Sequence, residues 1–443
     1  MKRTDLIVVG AGPAGIAAAV TAASHGLEVA LIDESPTPGG QVLLQNQPAQ
    51  KFEGRAVQRG LALLEDLQRL PVSIYTQTIA WAVDGRRVAI AGPDCPGEIE
   101  ASALLIASGA REFVPAFPGW TLPGVMTLGG AQSIIKRHNV LPGHSMLIAG
   151  AGPLTWALAA EILEHGGNLL GVLDYSRPAD WLSMLPQFSA LRDRVGLGMR
   201  YLRTIAGQRV PYHWTRDRLH AHGEGRLERV SIGSREFEVD VLCVGFGFIP
   251  NTELHRLAGC SMVFDRSLGG WIPIVDEDLQ TSQTGTYTAG ECAGVGGAQK
   301  ALLEGELAAY SLLNSLGQPL SSRENERRHW LRRRRQTELR FARALNRSCE
   351  APVEFLAELE HETIICRCEN VRAGEIRTAH NKGISTLDGL KNELRVGQGL
   401  CQGRTCGPIL RRMLAAADES PPVPFHVRPP VKPVTLSQIE RRT

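Results

Sequence analysis

Four of the nine cysteines lie in two tight pairs near the C-terminal end of the chain. Cys366 and Cys368 form a Cys-x-Cys pair, and Cys401 and Cys406 form a Cys-x-x-x-x-Cys pair. Thiolates are soft ligands that bind zinc or the irons of an iron–sulfur cluster. Zinc sites usually draw on Cys-x-x-Cys pairs, and neither pair has that spacing. The pattern favours an iron–sulfur centre, with zinc and unligated thiols as the alternatives.

Glycines surround the second cysteine pair, and their backbone amides are free to approach a negatively charged centre. The segments CRCEN and CQGRTCGP resemble the bacterioferritin-associated-ferredoxin (BFD) type of [2Fe–2S] domain. This resemblance implies a small helical domain in which the four cysteines hold a [2Fe–2S] cluster that carries one electron at a time. The glycines are Gly397, Gly399, Gly403 and Gly407.

A dinucleotide-binding fingerprint opens the chain. A short apolar run at Leu6–Val9 predicts a buried strand, and GAGPAG followed by an alanine-rich segment predicts a phosphate turn and a helix. A second strand at 28–32 ends at Asp33 and Glu34, at the distance where an acid accepts hydrogen bonds from ribose hydroxyls. The predicted turn residues are Gly10, Ala11, Gly12, Pro13, Ala14 and Gly15.

Three further segments resemble flavoproteins of the glutathione reductase and thioredoxin reductase type. The resemblance implies an α/β fold of two glutathione-reductase-like Rossmann domains, with FAD or a bare adenine nucleotide in the first site. It also implies that Glu291, where the family usually has Asp, holds the ribityl chain. The cofactor-binding residues in these segments are Gly40 and Gln41 of PGGQ, Ser108 and Gly109 of LLIASGARE, and Gly290 and Glu291 of TAGECAGVGGA.

A second strand-turn-helix unit begins at Ser145 and ends at Asp174. It carries Gly150 and Gly152, but Thr155 stands at the third glycine position and is followed by Trp156. Larger side chains there should separate the helix from the strand or crowd a pyrophosphate. We therefore predict a retained fold with impaired or altered nucleotide binding, and Asp174 favours NADH if a nucleotide binds. The other five cysteines occur singly and are predicted to pack rather than react: Cys95, Cys243, Cys260, Cys292 and Cys349.

The motifs predict five parts of the chain. They are a discontinuous FAD or adenine-nucleotide domain (1–115 and 246–317), an NAD(P)-binding-like domain (116–245), a charged helical linker (318–360), a BFD-like [2Fe–2S] domain (361–416) and a proline-rich tail (417–443). Within the linker, we expect the arginine run at 332–335 to lie on a solvated helix face. The tail should run extended over a surface.

Composition excludes several classes of protein. The net charge of +2 gives no reason to expect a nucleic-acid partner. No apolar run approaches the roughly 20 residues of a membrane span. Because no secretory signal is evident, the cysteines are not expected to form disulfides, and we expect a cytoplasmic protein.

The order of these parts resembles the α (A) subunits of hetero-oligomeric amine dehydrogenases, which include D-hydroxyproline dehydrogenase, opine oxidase and the B subunit of hydrogen cyanide synthase. The resemblance implies that a glycine-oxidase-like β flavoprotein oxidises the amine and that this chain has no catalytic residue of its own. It further implies a small ferredoxin-like subunit, an FMN shared with a partner, and electron transfer towards the respiratory chain.

Among substrates, the resemblance suggests cis-4-hydroxy-D-proline first, then octopine or nopaline, then glycine. Two other functions stay open at this point. One is a self-contained NAD(P)H-dependent acceptor reductase with a [2Fe–2S] centre, which Thr155 and Trp156 disfavour. The other is a non-catalytic scaffold that keeps an adenine nucleotide for stability, which the four paired cysteines disfavour.

Overall fold

The computed structural model describes residues 2–43, 54–176, 192–350, 356, 359–415 and 423–440. The helices are α1 (Pro13–Ser24), α2 (Arg55–Arg69), α3 (Leu128–His138), α4 (Pro153–Glu164), α5 (Arg192–Gly207), α6 (Glu253–Leu257), α7 (Ala298–Ser315), α8 (Ser322–Ser348), α9 (Ala373–Asn381), α10 (Leu387–Leu394), α11 (Cys406–Ala415) and α12 (Leu436–Glu440). The strands are β1 (Lys2–Val9), β2 (Val29–Ile32), β3 (Val72–Tyr75), β4 (Ile79–Asp84), β5 (Arg87–Ala91), β6 (Glu98–Ile106), β7 (Ala110–Glu112), β8 (Val125–Thr127), β9 (Ser145–Gly150), β10 (Asn168–Asp174), β11 (Tyr212–Trp214), β12 (Leu219–His222), β13 (Arg229–Ile232), β14 (Arg235–Glu238), β15 (Val241–Gly245), β16 (Phe248–Pro250), β17 (Met262–Asp265), β18 (Gly270–Pro273), β19 (Thr286–Thr288), β20 (Ile364–Cys366) and β21 (Val371–Arg372).

The first sheet forms the nucleotide domain. Its strands run in the order β3-β2-β1-β6-β5-β4, and β19 returns late in the chain to pair in parallel with β6. Strands β3, β2, β1 and β6 are parallel, so the carboxyl ends of β1 and β2 meet at one edge. The alanine-rich helix α1 is buried along most of its length because α7 packs closely against it. This arrangement brings the return segment before α7 to the first turn.

The second sheet repeats the parallel pattern in the order β11-β10-β9-β15-β8. Helix α4 follows β9 as α1 follows β1, and its residues Thr155 and Leu158 are fully buried. A two-stranded ladder of β7 and β16 lies where the chain passes between the two sheets. The prediction of an α/β protein with two Rossmann-type domains is confirmed. The predicted domain limits stay predictions.

Helix α8 begins with a capping box, in which Ser321 and Glu324 exchange hydrogen bonds. The prediction of a solvated arginine face is wrong for two members of the run at 332–335. Arg332 pairs with Asp278 at 2.6 Å, and Arg335 is buried and pairs with Glu304 at 2.8 Å. A buried arginine without a carboxylate is costly, so these acids decide which face of the helix turns inward.

The BFD-like module consists of the β20–β21 hairpin and helices α9, α10 and α11. It does not stand apart, because one hydrophobic core contains Ile365 and Ile409 of the module together with Leu219 and Val230 of the second nucleotide-like domain. The indole N–H of Trp120 also donates to the carbonyl of Ile364 at 2.7 Å. The module is therefore held rigidly against the nucleotide domains.

The C-terminal segment at 423–435 is extended, as its prolines predict. It is more firmly seated than a surface tail, since Phe425 and Val431 are buried. Residues 417–422 and 441–443 of the predicted tail, and residue 416 at the end of the predicted BFD-like domain, lie outside the described residues. No helix within the described part of the chain is long and apolar enough to cross a membrane.

Candidate nucleotide and iron–sulfur sites

The first glycine turn is open at the position where a pyrophosphate would approach. A Cβ built on Gly12 would have the Cα of Gly40 as its nearest neighbour, 4.0 Å away. By contrast, a Cβ on Gly15 would overlap the carbonyl of Gly10, so that glycine permits the close packing of α1 against the turn. Pro13 and Ala14 form the first turn of α1, whose positive end faces this opening.

Two acidic residues follow β2. The carboxylate of Asp33 accepts hydrogen bonds from the backbone N–H of Ala11 at 2.6 Å and of Ser35 at 2.8 Å. These bonds hold the half-buried carboxylate beside the turn, where an adenosine ribose is recognised in this fold. Glu34 is exposed and pairs with Lys432 of the C-terminal segment. The structure thus brings Asp33 to the site and turns Glu34 towards the tail.

Of the remaining predicted residues, Gly290 and Ser108 lie close to the same turn, and Gln41 lies further out. Gly290 lies against helix α1, since a Cβ there would come within 2.9 Å of the Cβ of Ala14. Ser108 donates its hydroxyl to the carbonyl of Asn251 at 2.7 Å, which ties the segment with Gly109 to the strand returning from the second domain. Gln41, further out, accepts a hydrogen bond from Ser133 at 3.2 Å.

Glu291 is held by the turn before α7. Its carboxylate accepts the backbone N–H groups of Gly296 at 3.0 Å and Gly297 at 2.7 Å. Burial raises the pKa of Glu291, while the nearby charge of Lys300 and these amides oppose the rise. The side chain lines a large cavity between the two nucleotide domains. Its contact with a ribityl chain stays a prediction.

A buried ion cluster beneath Gly290 was missed by the sequence analysis. Lys300 and Glu304 are fully buried, 2.6 Å apart, and Arg335 pairs with the other oxygen of Glu304. Lys300 also donates to the carbonyl of Gly290, and the N–H of Gly290 donates to Glu304. The i,i+4 spacing of Lys300 and Glu304 was the available signal. This cluster fixes the return segment against the first turn.

The second glycine turn is filled by the protein itself. A Cβ built on Gly152 would overlap the Sγ of Cys349, the residue that follows α8. Asp174 is almost completely buried and accepts the hydroxyl proton of Tyr212, which in turn accepts the indole N–H of Trp156 at 2.8 Å. Burial raises the pKa of Cys349 to about 12, so its thiol stays neutral. Cys349 thus narrows the position for a pyrophosphate, and Asp174 already accepts hydrogen bonds from within the protein. The large cavity between the two nucleotide domains borders both Asp174 and Tyr212.

The four cysteines of the BFD-like module form two contacting pairs, Cys366 with Cys406 and Cys368 with Cys401. The hydrogen bond from Cys406 lowers the pKa of Cys366 to about 5, and the backbone amides of Gly397 and Glu369 act in the same direction. Burial alone would raise the pKa of Cys401, but hydrogen bonds from Thr405 and Gly403 lower it. The hydrogen bond to Cys366 and burial raise the pKa of Cys406, and the pKa of Cys368 is raised as well, so N–H groups directed at sulfur favour one thiolate in each pair.

This donor set fits a two-iron centre. A [2Fe–2S] cluster takes four thiolates, and two contacting pairs supply two for each iron. Zinc would require the ligands to surround one point. Among the described residues, no three His, Cys, Asp or Glu side chains converge on a single ion. A Cβ on Gly399 would overlap the side chain of Cys368, so the loop closes tightly around the pairs.

The loop between Cys401 and Cys406 docks on the first nucleotide domain. Arg111, just after the Ser108–Gly109 segment, donates its Nε–H to the carbonyl of Arg404 at 3.2 Å and pairs with Glu253 at 3.2 Å. Arg111 also donates to the side chain of Asn251 at 2.7 Å. This chain of contacts joins the cysteine loop to a segment of the first nucleotide site. Arg111 lies in the LLIASGARE segment but was not among its predicted cofactor-binding residues, and Asn251 lies in no recognised motif.

The five single cysteines occupy packing positions. Cys292, beside Glu291, is completely buried and directs its thiol at the carbonyls of Ile106 and Ala289, each 3.3 Å away. Burial raises the pKa of Cys292 and, to about 12, that of Cys243. Neutral thiols in such positions are poor nucleophiles.

Comparisons with known proteins agree with both sites. Residues 4–305 match the pyridine nucleotide-disulphide oxidoreductase family, and residues 364–416 match the BFD-like [2Fe-2S] binding domain. Among solved structures, the L-proline dehydrogenase from P. horikoshii has a TM-score of 0.71 at 21% identity, covering 99% of this chain and 80% of that chain. At this identity the likeness shows the fold alone.

Relatives of known name are similar along the whole chain. The A subunit of opine oxidase from Rhizobium meliloti (strain 1021) is 34% identical, covering 99% of both chains. The HcnB subunit of hydrogen cyanide synthase from Pseudomonas aeruginosa is 31% identical, covering 98% of both. The nucleotide domain binds FAD and the BFD-like domain a [2Fe–2S] cluster. The chain belongs to the family of opine oxidase A and HcnB subunits and is one subunit of an amine-donor oxidoreductase.

Proposed function

We propose that this chain is the electron-transferring α subunit of a multi-subunit amine dehydrogenase. A partner flavoprotein, glycine-oxidase-like in the family that the chain resembles, oxidises the amine to an imine. When bound, FAD accepts electrons in pairs and the [2Fe–2S] cluster passes them on singly. An FMN shared with the partner and a small ferredoxin-like subunit would extend this route towards a respiratory acceptor. The subunit names of the relatives support this division of labour.

The contact between the cysteine loop and the first nucleotide domain carries the proposal. Arg111 binds the backbone of Arg404 within the loop and, through Asn251, the segment that holds Ser108. Electron transfer requires two centres held at a fixed, short separation. Three polar contacts that share one half-buried guanidinium supply that rigidity, and Glu253 neutralises its charge.

The filled second turn supports an amine rather than NADH as the electron source. Cys349 takes the place of a pyrophosphate at Gly152, and Tyr212 takes the place of a ribose at Asp174. An entering NADH would have to break a buried hydrogen bond to a carboxylate and displace a buried side chain. Each step costs about 1–3 kcal/mol. This argues against the NAD(P)H-dependent acceptor reductase.

For the substrate we propose a secondary amine derived from an amino acid. Both cis-4-hydroxy-D-proline, first in the order suggested by the sequence, and the opines octopine and nopaline belong to this class. The relatives named as A subunits of opine oxidase add support for an opine. Glycine, a primary amine, comes last. The substrate pocket is proposed to lie in the partner flavoprotein, and Glu291 of this chain to contact its own FAD.

Anaerobic reconstitution tests the proposal. The FAD- and iron-loaded chain is mixed with each candidate amine, with and without the partner flavoprotein, and cluster reduction is followed by electron paramagnetic resonance. We expect a reduced-cluster signal only when partner and amine are both present. Reduction of the isolated chain by an amine would place the amine site here and overturn the proposed division of labour.

A further inference from the structure

A second cavity, of about 730 Å³, lies between the BFD-like module, the C-terminal segment and the first nucleotide domain. Its wall carries two acidic side chains, Glu253 and Asp388. Six basic side chains also line the cavity, so its wall carries a net positive charge. The basic residues are Arg111, Arg256, Lys391, Arg404, Arg411 and Arg428.

Most of these cations already have partners. Arg256 donates to the carbonyl of Phe425, and Arg404 to that of Val431, so both hold the C-terminal segment in place. Arg111 pairs with Glu253. Their charges still contribute to the potential inside the cavity, because one carboxylate faces several guanidinium groups.

Arg411 differs from the others. Its side chain is nine-tenths buried and lies over the ring of Phe264 at 4.9 Å. Within the described part of the chain, no carboxylate and no hydrogen-bond acceptor acts on its guanidinium. Burial, and then the nearby Arg111, lower its pKa to about 10. A buried guanidinium normally has its donors satisfied.

A second donor without a partner lines the same cavity. The indole N–H of Trp271 is buried and makes no hydrogen bond to a described residue. Trp271 pairs with Phe264 across two antiparallel strands, so Arg411 and Trp271 pack around one ring. The Nε1 atom of Trp271 is shielded even from water, so Arg411 supplies the accessible donors of this pair, and inside a positive cavity they favour an acceptor with negative charge.

We propose that this cavity binds a phosphate-bearing anion, with the guanidinium of Arg411 donating to its oxygens. The planar guanidinium fork matches phosphate geometry. The volume exceeds that of an inorganic ion and is within the range of small-ligand pockets. The phosphate is therefore either free or the ester group of a mononucleotide.

The site lies beside the cysteine loop, because Gly403 and Gly407 belong to its wall. Reduction adds negative charge to a [2Fe–2S] centre, so a bound anion makes reduction less favourable. By linkage, a tenfold preference of phosphate for the oxidised protein lowers the one-electron potential by about 59 mV. The anion thus tunes the electron transfer proposed above, and this consequence rests on that function.

Calorimetry on the complete chain, saturated with FAD and loaded with iron, tests the binding. Inorganic phosphate and AMP are titrated separately, because saturation with FAD keeps both out of the first nucleotide site. We expect saturable binding of phosphate at one site per chain. Binding of AMP at least tenfold tighter identifies a mononucleotide, and equal or weaker binding identifies free phosphate.

Three variants sharpen the test. Trp271→Phe keeps an aromatic ring against Phe264 and removes only a shielded N–H, so phosphate should bind as it does to the unmodified chain. Arg411→Gln should weaken binding at least tenfold. Arg372→Gln, an exposed arginine of the same module that pairs with Glu362, should bind as the unmodified chain does. Equal affinity in all four proteins, or no binding of either probe, overturns the site. Amine-dependent reduction is measured in parallel, and its presence in that case leaves the proposed function intact.

Discussion

The two GAGP turns of this chain share a sequence and differ in what surrounds them. At the first, a Cβ on Gly12 would meet no atom closer than 4.0 Å, and Asp33 is half-buried and bound only by backbone amides. At the second, a Cβ built on Gly152 would overlap the Sγ of Cys349, and Asp174 is buried and accepts the hydroxyl proton of Tyr212. The first turn is open to a nucleotide, whereas at the second, which borders the large cavity, side chains of the protein compete with a ligand at Gly152 and at Asp174.

This difference teaches that a glycine motif specifies a backbone shape, while distant residues decide whether the shape is available to a ligand. Cys349 is nearly two hundred residues from Gly152 in the chain. It reaches the turn because α8 crosses both nucleotide domains and ends there. The connection between the FAD domain and the BFD-like module thereby closes the second site.

The largest effect should come from Gly12→Val, which breaks the open turn. A branched side chain there occupies the space of the pyrophosphate, so FAD should be absent from folded protein. Flavin released by heating, measured per mole of chain, checks this. The matched change at a site away from both turns is Gly196→Val, where a Cβ meets no neighbour and FAD should stay at full occupancy. Full occupancy in Gly12→Val would show that the first turn is not the nucleotide site.

Cys401→Ser should abolish the visible absorption of the cluster and remove most of the iron, expected at about two per chain. FAD content should not change, because Cys401 is half-buried in a loop and outside the cores of both nucleotide domains. Cys95→Ser, at an isolated cysteine, should keep its iron. Stoichiometric zinc without iron in anaerobically purified protein would contradict the cluster assignment.

Asp33→Ala and Asp174→Ala compare the two acids directly. Loss of Asp33 leaves the ribose hydroxyls and the backbone amides of Ala11 and Ser35 without their hydrogen-bond acceptor. FAD should therefore bind about 1–3 kcal/mol more weakly. Loss of Asp174 should leave the FAD dissociation constant unchanged and reduce the free energy of unfolding instead. Fluorescence titration of apoprotein with FAD measures the first effect and urea unfolding the second. Equal weakening of FAD binding by Asp33→Ala and Asp174→Ala would contradict the assignment of FAD to the first turn alone.

Tyr212→Phe should change the stability of the fold and leave the FAD content unchanged. It leaves the buried carboxylate of Asp174 with one hydrogen bond, from the N–H of Ser176, and should lower the free energy of unfolding by about 1–3 kcal/mol. Tyr287→Phe removes a hydroxyl that donates to Ser315, a neutral partner, and should cost only about 0.5–1.5 kcal/mol. Greater urea sensitivity of Tyr287→Phe than of Tyr212→Phe would argue against a tight hydrogen bond at Asp174.

Much of the first site was predictable because its signals are local. The spacing of Gly10, Gly12 and Gly15, the buried strand before them and the acid after the next strand all lie within one unit. The cysteine pairs were equally easy to recognise, since the two members of each pair are only a few residues apart in the sequence. The α/β class followed from the strand-turn-helix units themselves.

The rest depends on contacts between distant segments. Thr155 and Trp156 were expected to crowd the second turn, but the obstruction at Gly152 comes from Cys349, and the indole of Trp156 is directed at Tyr212. The arginine run of α8 looked solvated because its acidic partners, Asp278 and Glu304, precede it by tens of residues. The link between Arg111 and Arg404 joins two motifs that are nearly three hundred residues apart, and neither motif indicates that the other is its partner.

The central claim is that the first site accepts electrons from a partner and that the second does not admit NADH. Anaerobic stopped-flow mixing of the FAD-loaded isolated chain with NADH tests this directly, with dithionite as proof that the flavin and cluster can be reduced. We predict no bleaching on the timescale of typical turnover, about 10 s⁻¹. Rapid bleaching of flavin and cluster by NADH would contradict the account and establish an NADH-dependent reductase in its place.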